Sequence, residues 1–346
     1  MTENETKRQH YVPRTYLKHF AVERNDNYFF YALPTATPIK NKIFETSITN
    51  ACVQIDIYTL PGKTKEERML IEKFYADNYE SNYDKMYNLL LDENKKKLTN
   101  EEREFIISTV VTMMYRTTKL ISQHNEFMNR SLYYIFQLCQ QTSQDYFMFE
   151  DQKISIKGKS LEQIQKENKY ENRPGQVLVQ LQVAMRLIEL RLQNDGIMVS
   201  KLLDDENEFV TSDNPVCFTN MSPNQLSAFN PENVLSLPLD SKHKLFLMPY
   251  ADKDSFNLLM RRSSIGQMGY CEKLTSNYSQ TQNSERFIYG TKSSLESYLR
   301  TKEATEKPIT EDEFKNSEIG KELIKTRDLY REIINALKKQ EDENLN

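Results

Sequence analysis

The chain predicts an α+β protein, with one mixed or antiparallel sheet built from N-terminal and C-terminal strands and packed against a central group of long helices. Three observations lead there. Short β-rich runs occur near the N-terminus and again between residues 196 and 290, with apolar residues at helical spacing between them. The 346 residues include only 8 glycines, too few for many tight hairpins, so helices lead. Hydrophobic content is 38%, but 17 Phe and 20 Tyr supply large buried areas per residue. Strand runs at both ends with helices between them join most economically as one layered domain.

In chain order, residues 1–9 read as a loose arm. Pro13 sits at the first turn of a short helix carrying Tyr16, Leu17 and Phe20, where its missing N–H costs nothing. Tyr28-Phe29-Phe30-Tyr31 is a strand, and residues 32–62 hold more strand candidates, notably Val53 to Leu60, ended by Pro61-Gly62. Helical spacing begins near Lys65 and runs through Leu70, Ile71, Phe74, Tyr75, Tyr79, Tyr83, Met86, Leu89 and Leu90. Thr99 with Glu102 three residues on is a capping box that opens a helical run to about Gln141. A break is expected near Thr117-Thr118 or Gln123-His124.

Lys153 to Ile156 reads as a strand before a Lys/Glu/Asn-rich loop closed by Pro174-Gly175, and Val177 to Leu192 is a helix stopped at Asn194-Asp195-Gly196. Strand candidates follow at 197–199, 209–211, 216–218, 234–237 and 245–248. A helix from about Tyr270 to Asn283, a strand at 286–289 and a short helix at 293–298 complete this part. Residues 318–342 form a charged helix. The organisation expected is a single α+β domain over 1–300, with a helical insertion at about 65–192, and a charged helical extension over 301–346.

The net charge of −4 excludes polyanion binding by bulk field. A local basic patch is offered by Lys7, Arg8, Arg14, Lys18 and Arg24, opposed by Glu23; its plainer reading is a solvated end. The four cysteines form no C-x-x-C pair, so free thiols in a reducing cytosol are expected. The N-terminus is polar, without the apolar run of a signal peptide, and no segment approaches the ~20 apolar residues of a membrane span. The expected location is cytoplasmic, away from membranes. The nucleotide-binding glycine motifs, the G-x-S-x-G elbow and H-E-x-x-H do not occur.

Two segments stand out. Gln9 to Phe20 places His10, two cations and aromatic residues around Pro13, and Phe209 to Val216 contains Thr211-Ser212-Asp213-Asn214-Pro215. With Arg116-Thr117 at the end of an apolar helix, and Pro238-Leu239 ahead of an apolar run at 245–248, these segments resemble the signatures of the bacterial domain-of-unknown-function family 4238. The resemblance runs along most of residues 8–290 and leaves the last ~50 outside. It implies a bacterial, cytosolic protein and, for some members, a place in anti-phage defence. It brings no reaction and no catalytic residue.

The residues themselves suggest chemistry. His10 is a candidate general acid or base, Asp213 its orienting carboxylate, and Ser212 a nucleophile or ligand donor. Arg14 and Arg116 are candidate clamps for phosphate, with Tyr11 and Asn214 as further substrate contacts. Each position has a plainer reading. His10 fills a niche before a helix-starting proline, Asp213-Asn214-Pro215 is an ordinary turn, and Arg116 pairs with an acid inside the bundle. Asp240-Ser241-Lys242 matches half of a metal-dependent nuclease core but is nearly uninformative at three residues. Asp204-Asp205-Glu206 reads as a solvated hairpin tip, and His124 and His243 have no ligand-spaced partners. No metal ligands are singled out, metal is optional to the expected chemistry, and the sequence leaves any cofactor unknown. The function expected is a cytosolic effector hydrolysing nucleic acid or a nucleotide. The alternative is a non-catalytic sensor for a small phosphorylated or phage-derived ligand, with the C-terminal helix available for self-association or partner docking.

Overall fold

The computed structural model describes residues 8–149, 152–171, 173–219, 230–249 and 251–306, with positions 310–317, 320–321, 324–325 and 328 beyond them. The chain divides into two compact units, Met1–Leu299 and Arg300–Asn346. The secondary structure is that of an α+β protein.

The chain enters as strand β1 (Arg8–His10), so residues 8 and 9 are not part of a loose arm. Buried Gln9 explains this: its Oε1 accepts the Tyr58 N–H at 2.7 Å and its amide donates to Thr59. Those partners lie some 50 residues away, beyond any local pattern. Pro13 caps helix α1 (Arg14–Leu17), which buries Tyr16 and Leu17 as expected. Strands β2 (Val22–Arg24), β3 (Asn27–Pro34) and β4 (Phe44–Ser47) follow. Strand β5 (Val53–Ile55), shorter than the expected run to Leu60, pairs antiparallel with β1.

The helical section begins with α2 (Lys65–Arg68), α3 (Leu70–Tyr75) and α4 (Tyr83–Leu91). The Thr99–Glu102 capping box is present at the start of α5 (Asn100–Tyr115), and the chain breaks at Thr117, in extended conformation, before α6 (Thr118–Gln141). Strands β6 (Tyr146–Phe149) and β7 (Gln152–Ser155) form a separate pair. Helix α7 (Leu161–Glu171) occupies part of the expected loop. Its start is fixed by Ser160 and Gln163, which cap each other reciprocally, and Ile164 anchors it against Leu132, Phe147 and Ile156. The polar composition had masked both signals. Helix α8 (Arg173–Leu192) completes the group.

The remaining strands are β8 (Gly196–Leu202), β9 (Thr211–Ser212), β10 (Cys217–Thr219), β11 (Val234–Pro238), β12 (His243–Met248) and β13 (Leu259–Ser264). Helix α9 (Gly266–Asn283), strand β14 (Phe287–Gly290) and helix α10 (Lys292–Glu306) follow. Where one sheet was expected, the strands divide between two five-stranded sheets. One joins the two ends of the chain in the order β2-β3-β14-β9, with β4 also on β3. The other, β10-β11-β12-β8-β13, is drawn wholly from residues 196–264, and its β13 runs parallel to β8. Strand β13 was not expected because its Arg-Arg-Ser-Ser half breaks the apolar alternation.

One core unites these layers. It contains Tyr11, Tyr16 and Leu17 from the N-terminus, Ile106, Ile107, Val110 and Val111 from α5, and Ile197, Leu237, Leu245 and Leu247 from the second sheet. Burial of α5 on nearly all sides accounts for its broad apolar run. In the second unit, α11 (Glu311–Asn316) is capped by Thr310 and Glu313. The charged helix expected over 318–342 lies outside the described residues except at five scattered positions, and Lys7 also lies outside them.

Candidate functional site

The residues singled out in the sequence fall into two neighbourhoods. Ser212, Asp213 and Asn214 are buried where β9 meets the end of α9. Asp213 Oδ1 accepts the Glu285 N–H at 2.9 Å, and Oδ2 accepts those of Arg286 and Phe287 at 2.8 and 3.2 Å. Burial lifts its pKa, against the pull of these three donors and the Arg286 guanidinium. Ser212 Oγ donates to Gln280 Oε1 at 2.7 Å and accepts the Asn214 N–H. The Asn214 amide donates to the Asn283 carbonyl, and the Asn283 amide returns a bond to the Asn214 carbonyl. Residues 212–214 are thus tied to the last turn of α9 and to the segment after it.

The second neighbourhood gathers His10, Arg14 and Arg116 with two acids the sequence did not single out, Glu72 and Glu80. Arg116 is buried. It donates to the His10 carbonyl and to Glu80 Oε1, both at 2.7 Å, and lies over the Tyr75 ring. Burial, reinforced by Arg14, pushes the His10 imidazole down to about 4, so it is neutral at pH 7. Burial raises the Glu72 carboxyl to about 7. Tyr11 connects the neighbourhoods, because Arg286, the partner of Asp213, donates to the Tyr11 hydroxyl. Among the described residues, no hydrogen bond joins His10 to Asp213 or Ser212. Of the expected basic patch, Arg24 pairs with Glu45, Lys18 with Asp84, and Arg8 bonds Asn50, while Arg14 is exposed.

A third place holds an open pocket of about 230 Å³ between the loop after α4 and the face of β8, β12 and β13. It is lined by Lys96 and Glu93 from the loop, Lys201 from β8, His243 from β12, and Arg261, Arg262 and Ser263 from β13. Strand alternation puts the Arg261 and Ser263 side chains on the face of Val199 and Lys201, while the neighbouring Arg262 guanidinium meets Glu272 at 2.8 Å. Arg261 grips the loop through bonds to the carbonyls of Leu90 and Asp92, at 2.5 and 2.6 Å. Its Nε is buried without a partner among the described residues. Lys201 pairs with Glu93 at 2.9 Å, and this bond holds the Glu93 carboxyl below its ordinary pKa.

His243, left without partners by the sequence reading, has them here. Its Nδ1 lies 2.9 Å from Asp240 Oδ2, and Tyr87 donates to the same oxygen at 2.6 Å. Asp240 Oδ1 accepts the N–H groups of Lys242 and His243, an Asx turn that sets the carboxylate beside the ring. Burial opposes its charge, but the bonds from His243, Tyr87 and Lys242 prevail and lower its pKa. The available signal was Asp240 three residues before His243 in a turn; the contribution of Tyr87 had none. A histidine whose Nδ1 is fixed by a carboxylate keeps Nε2 for proton transfer. Among the described residues, no group of three or more His, Cys, Asp or Glu side chains is placed to hold a metal ion, and no helix is long and apolar enough to cross a membrane.

Residues 8–294 match the family model described as "Protein of unknown function (DUF4238)", and the chain belongs to that family. No curated protein and no solved structure matches it.

Proposed function

We propose, from membership of a family without an assigned reaction and from the pocket beside His243, that this protein acts on a phosphorylated ligand, a nucleotide or a nucleic-acid end, by hydrolysis. The observation that carries the reading is a basic pocket with a carboxylate-oriented histidine on its wall. Lys96 and Lys201 would hold phosphate oxygens, with the Arg261 guanidinium adding its charge beside them, and charge-assisted donors are the strong ones for this purpose. His243 Nε2 would take a proton from the attacking water as it adds to phosphorus. It would return that proton to the ester oxygen as the P–O bond breaks, while Asp240 balances the transient imidazolium. Hydrolysis therefore no longer rests on His10, Ser212 and Asp213 meeting in one centre. The setting we propose is the bacterial cytoplasm, in anti-phage defence.

The test is phosphate release from nucleotides and 5′-phosphorylated oligonucleotides by the wild type and His243→Ala. We expect a loss of about 10²-fold or more in turnover with binding retained, the scale of a removed general base. An absence of both turnover and binding in the wild type would reject the reading. A second reading, a sensor that binds without turnover, is favoured by Arg261. A phosphate drawn to its charge would pull on the same guanidinium that holds the carbonyls of Leu90 and Asp92, at the end of α4. Binding without release by the wild type would select it.

A further inference from the structure

We infer that the second sheet and α9 hold a small carboxylate between Lys244 of β12 and Ser276, at a site separate from the pocket beside His243. Side chains alternate along a strand, so this sheet has two unlike faces. One face sends Leu237 and Leu245 into the core. The other carries Lys244, Ser200 and Arg262 in one row across β12, β8 and β13. That polar row is nonetheless covered: Lys244 is 7% exposed and Ser200 0%. The cover is α9, which packs against both β13 and β10, the two edges of the sheet. Its Glu272 meets Arg262 on β13, and about two turns on its Gln280 donates to Cys217 Sγ on β10. Ser276 lies midway between these two anchors, about one turn from each, and so over the middle strand, which carries Lys244.

Both groups are buried with bonds still to make. The Lys244 side chain has no hydrogen bond or ion pair among the described residues, and its Nζ stands 5.0 Å from the centre of the Phe246 ring. The acid acting on it is Glu272, which is already committed. Arg262 pairs with Glu272 at 2.8 Å, Ser264 donates to it at 2.6 Å, and Ser200 beside it helps to keep it charged. Cys217 stays a protonated thiol, because burial pushes its pKa up to about 11. Lys273, the next cation on α9, lies over the Tyr270 ring at 4.6 Å. Arg262 and Glu272 cancel, and the Lys244 ammonium has no acid of its own; burial accordingly pulls its pKa down. Ser276 is 1% exposed, and its Oγ has no partner among the described residues. Thr275 and Thr281 on the same helix return their hydroxyls to carbonyls one turn back, as such residues do in helices, and Ser276 does not. A carboxylate answers both groups. One oxygen accepts from Lys244 Nζ, the other accepts from Ser276 Oγ, and its single charge gives the buried ammonium the pairing that burial demands.

The test compares acetate with acetamide, which has nearly the same shape and no charge. Each is titrated into the full chain at neutral pH and low salt, and binding is read by saturation-transfer NMR on the small molecule. Acetate should bind saturably, and acetamide about tenfold or more weaker, the scale of a lost charge-assisted bond. Lys244→Met and Ser276→Ala should each weaken acetate by about tenfold or more. Ser276→Ala, a small change, carries the test if Lys244→Met does not fold. Lys201→Ala should leave acetate binding as it is. No saturable acetate binding, or acetamide binding as tightly, overturns the proposal. So does acetate binding that survives unchanged in Lys244→Met or Ser276→Ala. Loss of acetate binding in Lys201→Ala places the anion beside His243 and also overturns it. The phosphate reading of the His243 pocket is tested separately and stands or falls by phosphate release and binding.

Discussion

The knot around Asp213 and the pocket beside His243 are both crowded with polar groups, yet they differ in how those groups are balanced. In the knot, each carboxylate oxygen of Asp213 faces backbone N–H groups, Ser212 bonds Gln280, and Asn214 and Asn283 exchange bonds. In the pocket, Lys96, Lys201 and Arg261 lie beside His243 around an opening to solvent, with the exposed Glu93 paired to Lys201. Polar groups satisfied by one another belong to the architecture, whereas charged groups gathered around an opening to solvent have capacity left for a ligand. The Ser212-Asp213-Asn214 motif, distinctive in the sequence, thus spends its polar groups on tying β9 to α9 and the segment after it.

Substitutions in the two regions should have different consequences. The largest effect should come from Asp213→Ala, which leaves the N–H groups of Glu285, Arg286 and Phe287 without their buried acceptor. We expect a loss of roughly 4 kcal/mol in urea unfolding, and a loss below ~1 kcal/mol would contradict the knot's structural role. Arg116→Met should follow at roughly 3 kcal/mol, because it leaves the His10 carbonyl and Glu80 without their donor.

Glu72→Gln should act in the opposite direction. The folded-state pKa of Glu72, about 7, lies above its ordinary value. Its favourable contribution is therefore complete below that ordinary value and is lost as pH rises through 7. The glutamine variant should then be more stable than wild type at pH 8 by ~1–2 kcal/mol, after discounting for partial exposure, with no gain near pH 4. A gain of equal size at both pH values would mean that charge is not its cause. The smallest effect on stability should be that of Lys201→Ala, within ~0.5 kcal/mol, as for other exposed ion pairs. If it unfolded the protein as Asp213→Ala does, the pocket would belong to the architecture too.

Much of the local structure was legible beforehand. The Thr99–Glu102 box, the break at Thr117, the helix before Asn194 and most strands of 196–290 rest on contacts a few residues apart, which leave periodic traces. The site was much less legible. Tyr87 and Asp240 are 153 positions apart, and Lys96, Lys201 and Arg261 come from a loop and two strands. His10 and Asp213 looked like partners because each was distinctive in its own segment. Spatial pairing depends on other residues, as Arg116 claims the backbone of His10 and the turn at 285–287 claims Asp213.

The α+β class, the family, the capped helices and the strand runs at both ends can therefore be read from the amino-acid order, because helix and strand periodicity and capping are properties of neighbours along the chain. Long-range packing sets the division of most strands between two five-stranded sheets, the parallel pairing of β13 with β8, and the place of His243 and Asp240 beside a basic pocket. Those outcomes depend on which distant surfaces bury one another and on the register in which they meet, and burial and register are settled by packing over the whole domain.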